Sequence, residues 1–464
     1  MLNLFLRSGT VILFLSCSGL SQVKKEMIFN AMAPLHIMLY HDPSVIEEKD
    51  WELFRNQLAE SKDMGLNAIS VDVWWGMVEL EDNIFLWDYY FQIFNEIRNH
   101  DLDIIPILSF HSFDPGSSSK FRAPVPSWVW PLLSKKSGIS INDLKYNSEE
   151  KDNNGQHKFS DEYISHWANE WAMPQYSEFI EEFVKTFQKY LEHFQEINIS
   201  LGPTGELRYP SYNSHDGGAY PNRGRMQCYS KPAKSDFYKW VEKNQDKNSL
   251  THFHFLEPQN LNNIIENEGY LSNSEILNLF SWYNYSLMRH GNRMLRAATK
   301  IIPDHIPIGF KIPGIHWKIK DPKMPRIAEI TCGLINGSTI NGQKSYLNSL
   351  RIVLEGLPVD RFVLHFTCIE QKNSTPETDI YNGYSRPEDL VREIEKAAKT
   401  LGLKIKGENS LSKNLKEKSS WSRIEKALVQ GSYAGITLMR VGDITADKPV
   451  ANNNCKKLIK NLRN

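Results

Sequence analysis

Short runs rich in β-branched and aromatic residues alternate with longer amphipathic stretches along most of the chain. Length and period separate the two kinds of segment, because strands are short and alternate every second residue, whereas helices repeat about every 3.6 residues. The short runs predict strands over residues 35–40, 68–75, 103–110, 197–202, 306–312, 361–366, 402–407 and 433–439. The longer stretches predict helices over residues 47–64, 88–100, 174–194, 273–300, 344–356, 387–400 and 421–430.

This alternation is typical of parallel strands joined by crossover helices. The chain shows no internal repeat and no charged linker, so the expected fold is α/β, a single (β/α)8 TIM-type barrel over residues 26–464. Residues 112–173 and 203–272, which follow the third and fourth strands, are long, irregular and rich in Ser, Pro, Gly and Asn. We expect these two loops to form the active-site cleft, because long ordered loops in compact domains are usually functional.

Polar and aromatic side chains collect at or just after the ends of the predicted strands, which is where (β/α)8 barrels carry their chemistry. In strand order they are Asp72, Trp74, Trp75, His111, Glu206, Lys311, His316, Thr367, Glu370, Glu408, Asn409 and Arg440. The opposite strand ends carry no comparable cluster. The sequence therefore predicts one functional site at the C-terminal face of the barrel.

Composition narrows the class of ligand. The 54 basic and 55 acidic side chains give a net charge of −1, which argues against nucleic acid as a partner, since such proteins bind phosphates with an excess of cations. The 12 Trp, 19 Tyr and 22 Phe residues exceed the needs of a core, and sugar rings stack on aromatic faces. The sequence has no EF-hand loop and no His pair at helical spacing, so neither a metal nor another cofactor is expected.

Residues 1–25 have the pattern of an export signal, with an apolar run over 9–20 followed by the polar segment QVKKE. The run is too short to span a bilayer and no other segment is apolar enough, so we expect an exported protein without a membrane span. Cys17, near the end of the run, leaves a lipid anchor as an alternative to simple cleavage. The other cysteines match no zinc or disulfide spacing and are predicted to be buried thiols: Cys228, Cys332, Cys368 and Cys455.

Two of the strand-end residues are carboxylates in Gly-containing turns. Glu206 lies in LGPTGELRYPSY and Glu408 in IKGENSL. Glycosidic bond cleavage requires such a pair: a carboxylic acid protonates the leaving oxygen, and a carboxylate activates water or attacks the anomeric carbon. A Glu at a loop start is more often a helix-start residue or a solvated charge. The sequence alone does not give the spacing that separates inverting from retaining chemistry.

Seven motifs occur in one order between about residues 35 and 440, namely VDVWWG, LSFH, GELRYPSY, KIPGIHW, FTCIE, GENSL and ITLMR. In sequence and separation they resemble the β-amylases, exo-acting hydrolases of α-1,4-glucans. The resemblance implies a single barrel, an α-1,4-glucan or maltooligosaccharide as partner, and release of β-maltose from non-reducing ends with inversion at the anomeric carbon. It also implies that Glu206 is the general acid and Glu408 the general base.

The same resemblance implies substrate contacts for further residues. Asp72 and His111 are expected to hydrogen-bond the terminal glucose, and Thr367 to anchor the leaving side. The expected polar contacts along the cleft are Lys311, His316 and Arg440, with Asn409 beside the base and Leu411 as an apolar wedge at the cleavage point. The expected aromatic platforms are Trp74, Trp317, Tyr209 and Tyr212. Each of these residues, taken singly, also has a structural interpretation as a cap, a paired charge or a core side chain.

The chain departs from the family in the loop after LSFH. The family has a glycine-rich lid there, HxCGGNVGD, that ends in an aspartate, whereas this chain reads HSFDPGSSSKFRAPVP and has Ser119 at that position. Pro115 is expected to stiffen the loop, and Asp114 is a candidate substitute carboxylate. Retention of Glu206 and Glu408 favours an active hydrolase. Loss of the lid aspartate favours the alternative, an α-glucan-binding or sensing relative with weak or no turnover.

Two other departures lie near the predicted cleft. Asn198 replaces an acidic residue of the family in the fourth strand, and Lys318 replaces a tryptophan in GIHWK. After Arg440 only 24 residues follow, so no separate starch-binding module is expected, and the basic tail is predicted to form a short helix. The protein is expected to be a monomer.

Overall fold

Eight parallel strands pair edge to edge and close into a barrel. The computed structural model describes residues 27–37, 48–114, 121–244 and 253–463. In chain order the strands are β1 (Ile28–Met32), β2 (Ala68–Trp74), β3 (Glu79–Glu81), β4 (Ile84–Phe85), β5 (Asp103–Ser109), β6 (Tyr146–Lys151), β7 (His157–Ser160), β8 (Ile197–Ile199), β9 (Ile308–Ile312), β10 (Phe362–Phe366), β11 (Lys404–Glu408) and β12 (Tyr433–Leu438). The barrel order is β1-β12-β11-β10-β9-β8-β5-β2, which confirms the predicted fold, and β3-β4 and β6-β7 form separate two-stranded ribbons.

Helices follow the barrel strands as the periodicity predicts. They are α1 (Glu48–Met64), α2 (Trp75–Val78), α3 (Asp88–Asn99), α4 (Val129–Ser137), α5 (Asn169–Thr186), α6 (Lys231–Asn244), α7 (Pro258–Asn263), α8 (Ser274–Ile301), α9 (Ile327–Thr331), α10 (Gly342–Val353), α11 (Pro387–Leu401), α12 (Lys418–Gln430) and α13 (Pro449–Arg463). Local signals set their ends. The helix α11, for example, begins with a proline and two acidic residues and is followed by Gly402 at φ +67°.

The strand predicted over residues 35–40 is wrong. The first barrel strand is β1, which pairs in parallel with β12 and with β2. Pro34 follows it, Leu35 to Ile37 lie outside any strand, and residues 38–40 fall outside the described ranges. The pattern missed β1 because Asn30 interrupts its apolar run. The Asn30 amide donates to Ser70 and Thr437 on the neighbouring strands, so a polar residue is fully buried there.

The two long connections are more regular than the sequence indicates. Residues 112–173 contain α4 and the β6-β7 ribbon, and residues 203–272 contain α6 and α7. Short elements on the outside of a barrel have few apolar positions, so their periodicity is weak. Both connections leave from the C-terminal ends of barrel strands, β5 and β8, as predicted.

The barrel strands are buried on both faces. Every residue of β2 is buried, as are all five residues of β10. The described cysteines are buried and free, as predicted. The tail forms α13, which contacts α1 and α12. In the part of the chain that the structure describes, no helix is long and apolar enough to cross a bilayer.

Candidate active site

Glu206 lies in the tight turn that leaves β8. A Cβ on Gly202 would lie 2.5 Å from the Glu206 carbonyl oxygen, so only glycine permits this close approach. Gly205 has φ +82°, a conformation that also favours glycine. The turn brings Glu206 beside β9, where it forms a parallel bridge with Lys311. The two glycines thus place the Glu206 carboxyl group at the C-terminal face of the barrel.

The Glu206 carboxyl group is largely enclosed and hydrogen-bonded. Thr204 Oγ1 donates to Oε2 at 3.1 Å, and Arg208 Nε lies 3.2 Å from the same oxygen. Burial raises the pKa of Glu206, outweighing the effects of Arg208 and Lys311, and the nearby Glu408 charge raises this pKa further. A carboxyl group that holds its proton more firmly is suited to act as a general acid. Arg208 was missed by the sequence analysis, although it lies two residues after the acid in the same motif.

We expect Glu206→Gln to be more stable than the wild-type protein at pH 7. A carboxyl group whose pKa is raised by folding binds more protons in the folded state, so stability falls as pH rises from the unfolded pKa through the folded one. Glutamine carries no charge to bury, so the variant should have the higher Tm at pH 7. The difference should shrink towards the unfolded Glu value of about 4.3. Thermal unfolding at pH 7 and pH 4 measures the difference in Tm at each pH.

A matched control is Glu257→Gln, which removes a carboxylate that is 55% exposed and pairs with Lys234. This surface pair contributes little to stability, so the Tm of Glu257→Gln should equal that of the wild type at both pH values. A lower Tm for Glu206→Gln at pH 7 would contradict the raised pKa of Glu206.

Glu408 is the last residue of β11 and is buried. Its Oε2 accepts a hydrogen bond from Lys311 Nζ at 2.7 Å. Burial lowers the pKa of Lys311, but the charges of Glu408, Asp72 and Glu206 outweigh it and leave that pKa raised. Lys311 therefore keeps its charge and interacts with both predicted catalytic residues. Predicted as a cleft contact, it is in this structure the ion-pair partner of the predicted base.

Asp72 and Arg440 lie together where β2 and β12 end. Arg440 Nη1 lies 3.5 Å from Asp72 Oδ2 and donates to the Ala33 carbonyl oxygen at 2.9 Å. Ser109 Oγ donates to Asp72 Oδ1 at 3.3 Å. The guanidinium and the carboxylate are thus held in fixed positions, and both can bond sugar hydroxyl groups.

His111 is buried just after the end of β5. Its Nδ1 lies 2.9 Å from Ser200 Oγ. Burial, with smaller effects from Lys311 and Arg208, lowers the pKa of His111 to about 3. The ring is therefore neutral at ordinary pH and offers one donor and one acceptor nitrogen. The Trp74 ring packs edge-on against it, with ring centroids 5.2 Å apart.

Burial changes the interpretation of two expected aromatic platforms. Trp74 is 2% exposed, and its indole N–H donates to the Leu35 carbonyl oxygen. Tyr209 is fully buried and stacks on Tyr283 with centroids 3.8 Å apart. Tyr209 is thus a core residue, and the ring of Trp74 supports His111 and has no open face here. The stacking role of Trp74 stays a prediction that its burial does not favour.

The loop after β9 carries His316 and Trp317. His316 Nδ1 lies 2.8 Å from Ser385 Oγ, and burial lowers the pKa of His316 to about 4. The partly exposed Trp317 ring meets the edges of Tyr212 and Tyr220, with centroids 5.0 and 4.8 Å apart. This aromatic group is the part of the site best suited to stack on a sugar ring.

Thr367 links the ends of two strands. Its Oγ1 accepts a hydrogen bond from the Gly314 backbone N–H at 2.8 Å, which ties the end of β10 to the loop after β9. Thr367, predicted to contact the leaving side of the substrate, therefore already uses its hydroxyl oxygen in a bond within the protein. The residue is 9% exposed.

Asn409 and Leu411 follow the predicted base. Both atoms of the buried Asn409 amide bond the Met439 backbone, so this side chain fixes β11 to the end of β12. Leu411 is 41% exposed, as an apolar wedge requires. Glu370 holds this loop, because it accepts hydrogen bonds from the backbone N–H groups of Ser410 and Leu411. The sequence placed Glu370 among the polar residues at strand ends, and in the structure it holds the backbone of the loop after β11.

The departures from the family have structural partners. Lys318 Nζ lies 3.4 Å from Glu329, away from the reacting groups. Asp114 pairs with Arg122 at 2.6 Å, so the candidate substitute carboxylate is engaged outside the catalytic pair. Ser119 and Pro115 lie outside the described residues.

Three carboxylates on the outer side of the barrel lie close together. One carboxylate oxygen from each of Glu79, Asp82 and Glu178 lies within 4.8 Å of the others. Both oxygens of Glu79 already accept hydrogen bonds, from Trp75 Nε1 and the Asn83 N–H. Spacing along the sequence did not reveal this group, because Glu178 lies on α5 while the other two lie in the β3-β4 hairpin.

Comparison with known proteins places the fold and the sequence in one group. The chain resembles the crystal structure of the catalytic domain of β-amylase from Paenibacillus polymyxa, with a TM-score of 0.75 and 27% identity over 94% of this chain and 98% of that one. It is 30% identical over 407 residues to the thermophilic β-amylase of Thermoanaerobacterium thermosulfurigenes, covering 85% of this chain and 68% of that protein. It is 31% identical over 428 residues to the β-amylase of Bacillus cereus, covering 89% and 71%.

A (β/α)8 barrel with a carboxylate pair at the C-terminal ends of its strands is an arrangement that glycoside hydrolases use. Residues 44–464 match glycosyl hydrolase family 14, and the chain belongs to this family. The predicted resemblance to the β-amylases, the barrel fold and the class of enzyme are thereby confirmed. The match covers Glu206 and Glu408 but does not test the role of any single residue.

Proposed function

We propose that the protein hydrolyses α-1,4-glucosidic bonds in starch- or glycogen-type glucans and releases β-maltose from non-reducing ends. Glu206 is the general acid and Glu408 the general base. The arrangement of both carboxylates around Lys311 carries the proposal, because Glu206 has a raised pKa while Glu408 is ion-paired at 2.7 Å. Relatives described as β-amylases support the substrate class.

The two groups divide one displacement between them. Glu206 transfers its proton to the glycosidic oxygen as the bond to C1 breaks, so the departing chain leaves as an alcohol. Glu408 accepts a proton from a water molecule, whose oxygen forms the new bond to C1 from the opposite face. The configuration at C1 inverts from α to β. One proton leaves Glu206 and one reaches Glu408, and exchange with solvent resets the pair.

The other contacts divide into two groups in this proposal. Asp72, Arg440 and His111 hydrogen-bond the terminal glucose unit, because Asp72 and Arg440 hold each other in place and Ser200 fixes the His111 ring. Trp317 stacks on the chain, and Leu411 lies at the cleavage point. Thr367 and Asn409 act mainly through the backbone groups that they already bond.

Proton NMR of purified protein mixed with maltoheptaose tests the function. The anomeric signals of fresh product should show β-maltose before mutarotation occurs. Appearance of α-maltose first would contradict inversion, and release of glucose or longer fragments would contradict exo-acting maltose release. Shifted substrate signals without product would replace the proposal by the alternative that Ser119 favours, a glucan-binding relative without turnover.

We expect Ser119→Asp to raise kcat/KM on maltoheptaose. The family has a lid aspartate at this position, and a carboxylate there adds hydrogen-bond acceptors for sugar hydroxyl groups in the closed site. The expected gain is up to about tenfold, which corresponds to about 1.4 kcal/mol, within the range of one charge-assisted hydrogen bond. Initial rates of maltose release measure it. Ser118→Asp is the control, and an equal gain there would mean that charge alone matters.

We also propose that the protein is exported. The support is the n-region and short apolar run of residues 1–25. Mass spectrometry of the full chain expressed in a bacterial host, compared with Cys17→Ser, tests this. Loss of residues 1–25 with a free new N-terminus would support simple secretion. A lipid-sized mass increase that Cys17→Ser abolishes would support a lipid anchor. An uncut chain in the cytosol would overturn the proposal.

A further inference from the structure

Three ionisable side chains are packed inside the barrel next to the predicted base. Lys406 lies two residues before Glu408 on β11, so both side chains point to the same face of the strand. Lys406 Nζ lies 3.7 Å from Glu196 Oε2, and His365 Nε2 contacts the other Glu196 oxygen. Glu196, His365 and Lys406 are each 1% exposed. None of them has a part in the mechanism described above.

The barrel makes room for this cluster at one glycine. A Cβ on Gly309 of β9 would lie 1.8 Å from Asn198 Oδ1 and 2.6 Å from Glu196 Oε1. No larger residue fits there without moving both side chains. The Asn198 amide in turn hydrogen-bonds Glu196 and lowers its pKa. The substitution that replaced an acidic family residue by Asn198 is thus part of this cluster.

The contacts define where the charges lie. Burial would raise the pKa of Glu196, but Lys406, His365 and Asn198 lower it to about 2, so Glu196 is a carboxylate. Burial lowers the pKa of His365 more than Glu196 raises it. A neutral ring that donates from Nε2 leaves Nδ1 as a bare acceptor, and within the described ranges this atom has no hydrogen-bond partner. The cluster is therefore the Glu196 carboxylate and a neutral His365 ring beside the Lys406 ammonium group, whose Nζ has no hydrogen-bond partner among the described residues.

Lys406 is electrostatically coupled to the catalytic groups. Burial, with a smaller effect from Lys311, holds the pKa of Lys406 below its usual value, although the charges of Glu196 and Glu408 raise this pKa in part. The sheet register places Lys311, His365 and Lys406 side by side on β9, β10 and β11. Lys406 thus lies on the same face of β11 as Glu408, and Lys311 lies at the same level two strands away on β9.

We propose that Lys406 is a positioning residue whose ammonium group, ion-paired with Glu196 at 3.7 Å, keeps Glu408 in the carboxylate form that a general base requires. This inference rests on the proposed role of Glu408. Among the described residues, the charged groups that interact with Glu408 include Lys311 from β9, Lys406 from its own strand and Glu206 from the turn after β8. Those that face Lys406 are Glu196, Lys311 and Glu408, with His365 neutral beside them.

The test is the pH dependence of kcat/KM for Lys406→Met, a neutral side chain of similar length. The substrate is α-maltosyl fluoride, whose fluoride leaves without protonation, so the acidic limb of the profile reports the base alone. The limb should move to higher pH by roughly half a unit to one unit, because one of two cations facing Glu408 is lost. At the pH optimum the rate should stay within about tenfold of wild type. A limb at the wild-type position would overturn the proposal.

A second variant tests the proposal if Lys406→Met does not fold. Glu196→Gln with Lys406→Met removes both buried charges, and such neutral replacement of a buried pair is usually tolerated. Glu196 precedes β8, which β9 and β10 separate from β11, whereas Lys406 shares the strand of Glu408. The limb should therefore still move to higher pH, by less than in the single variant. An unmoved limb in this folded double variant would also overturn the proposal.

Ile405→Val is the matched control, because Ile405 is the buried neighbour that points to the other face of β11. It should lower Tm and leave the acidic limb in place. An equal limb shift in Ile405→Val would show that packing, not charge, moves it, and would overturn the proposal. If wild-type protein hydrolyses neither the fluoride nor maltoheptaose, the proposed function fails. An unmoved limb in an active enzyme counts only against Lys406.

Discussion

Glu206→Gln will hydrolyse maltoheptaose about 10²–10⁴-fold more slowly than wild type, the range that removal of a general acid produces. The glutamine amide can still hydrogen-bond Thr204 and Arg208, but it has no proton to transfer to the glycosidic oxygen. An α-maltosyl fluoride substrate removes that requirement, because fluoride is a good leaving group without protonation. The same variant should therefore keep most of its activity on the fluoride. Initial rates of the variant and the wild type on both substrates measure this difference.

Glu257→Gln, the surface control, should behave as wild type on both substrates. Isothermal titration of Glu206→Gln with maltoheptaose should still show binding, since the rest of the site is unchanged. Near wild-type turnover of maltoheptaose would eliminate Glu206 as the acid. An equal loss on both substrates would instead mean that Glu206 acts on binding or on the water molecule.

Glu408→Gln will lose activity on both substrates, each by about 10²–10⁴-fold, because water must be activated whatever the leaving group is. Glu408 can activate water because its ion pair with Lys311 favours the carboxylate over the carboxylic acid. Glutamine keeps the size of the side chain and can still accept from Lys311 Nζ. The comparison with Glu206→Gln thus separates acid from base on one pair of substrates.

Lys413→Gln is a suitable control for Glu408→Gln, because it changes a charge on the neighbouring loop after β11 without touching the pair. It should retain wild-type rates. Retained activity of Glu408→Gln on the fluoride would show that another group activates the water. A Tm measurement accompanies both variants, since Lys311 would face fewer anions in Glu408→Gln.

The strand pattern predicted most of the barrel because buried parallel strands are continuous apolar runs. The runs over 68–75 and 103–110 match β2 and β5 to within one residue. The same rule failed for β1, where Asn30 is buried but bonded across the barrel. A pattern that scores polarity has no means to recognise a polar residue whose partners lie 40 and 407 residues away.

The catalytic pair was recognised through motifs, whereas its environment was not. Lys311 and Glu408 are 97 residues apart in the chain, and only the barrel register brings them together. The supporting positions of Arg208 and Glu370 likewise depend on side-chain direction, which a motif does not encode. Tyr209 shows the converse error, because an aromatic residue beside an acid in sequence is buried against Tyr283 in space.

The seam of the barrel joins residues from opposite ends of the chain. Ile28 of β1 pairs with Gly435 of β12, and a Cβ at position 435 would lie 2.0 Å from the Ile28 carbonyl oxygen. During synthesis, β1 and β11 are therefore unsatisfied sheet edges until β12 has left the ribosome, and open edges are sites of aggregation. Folding of the barrel is thus expected to be completed only after β12 has emerged, and truncated chains that end before Tyr433 are expected to depend on chaperones.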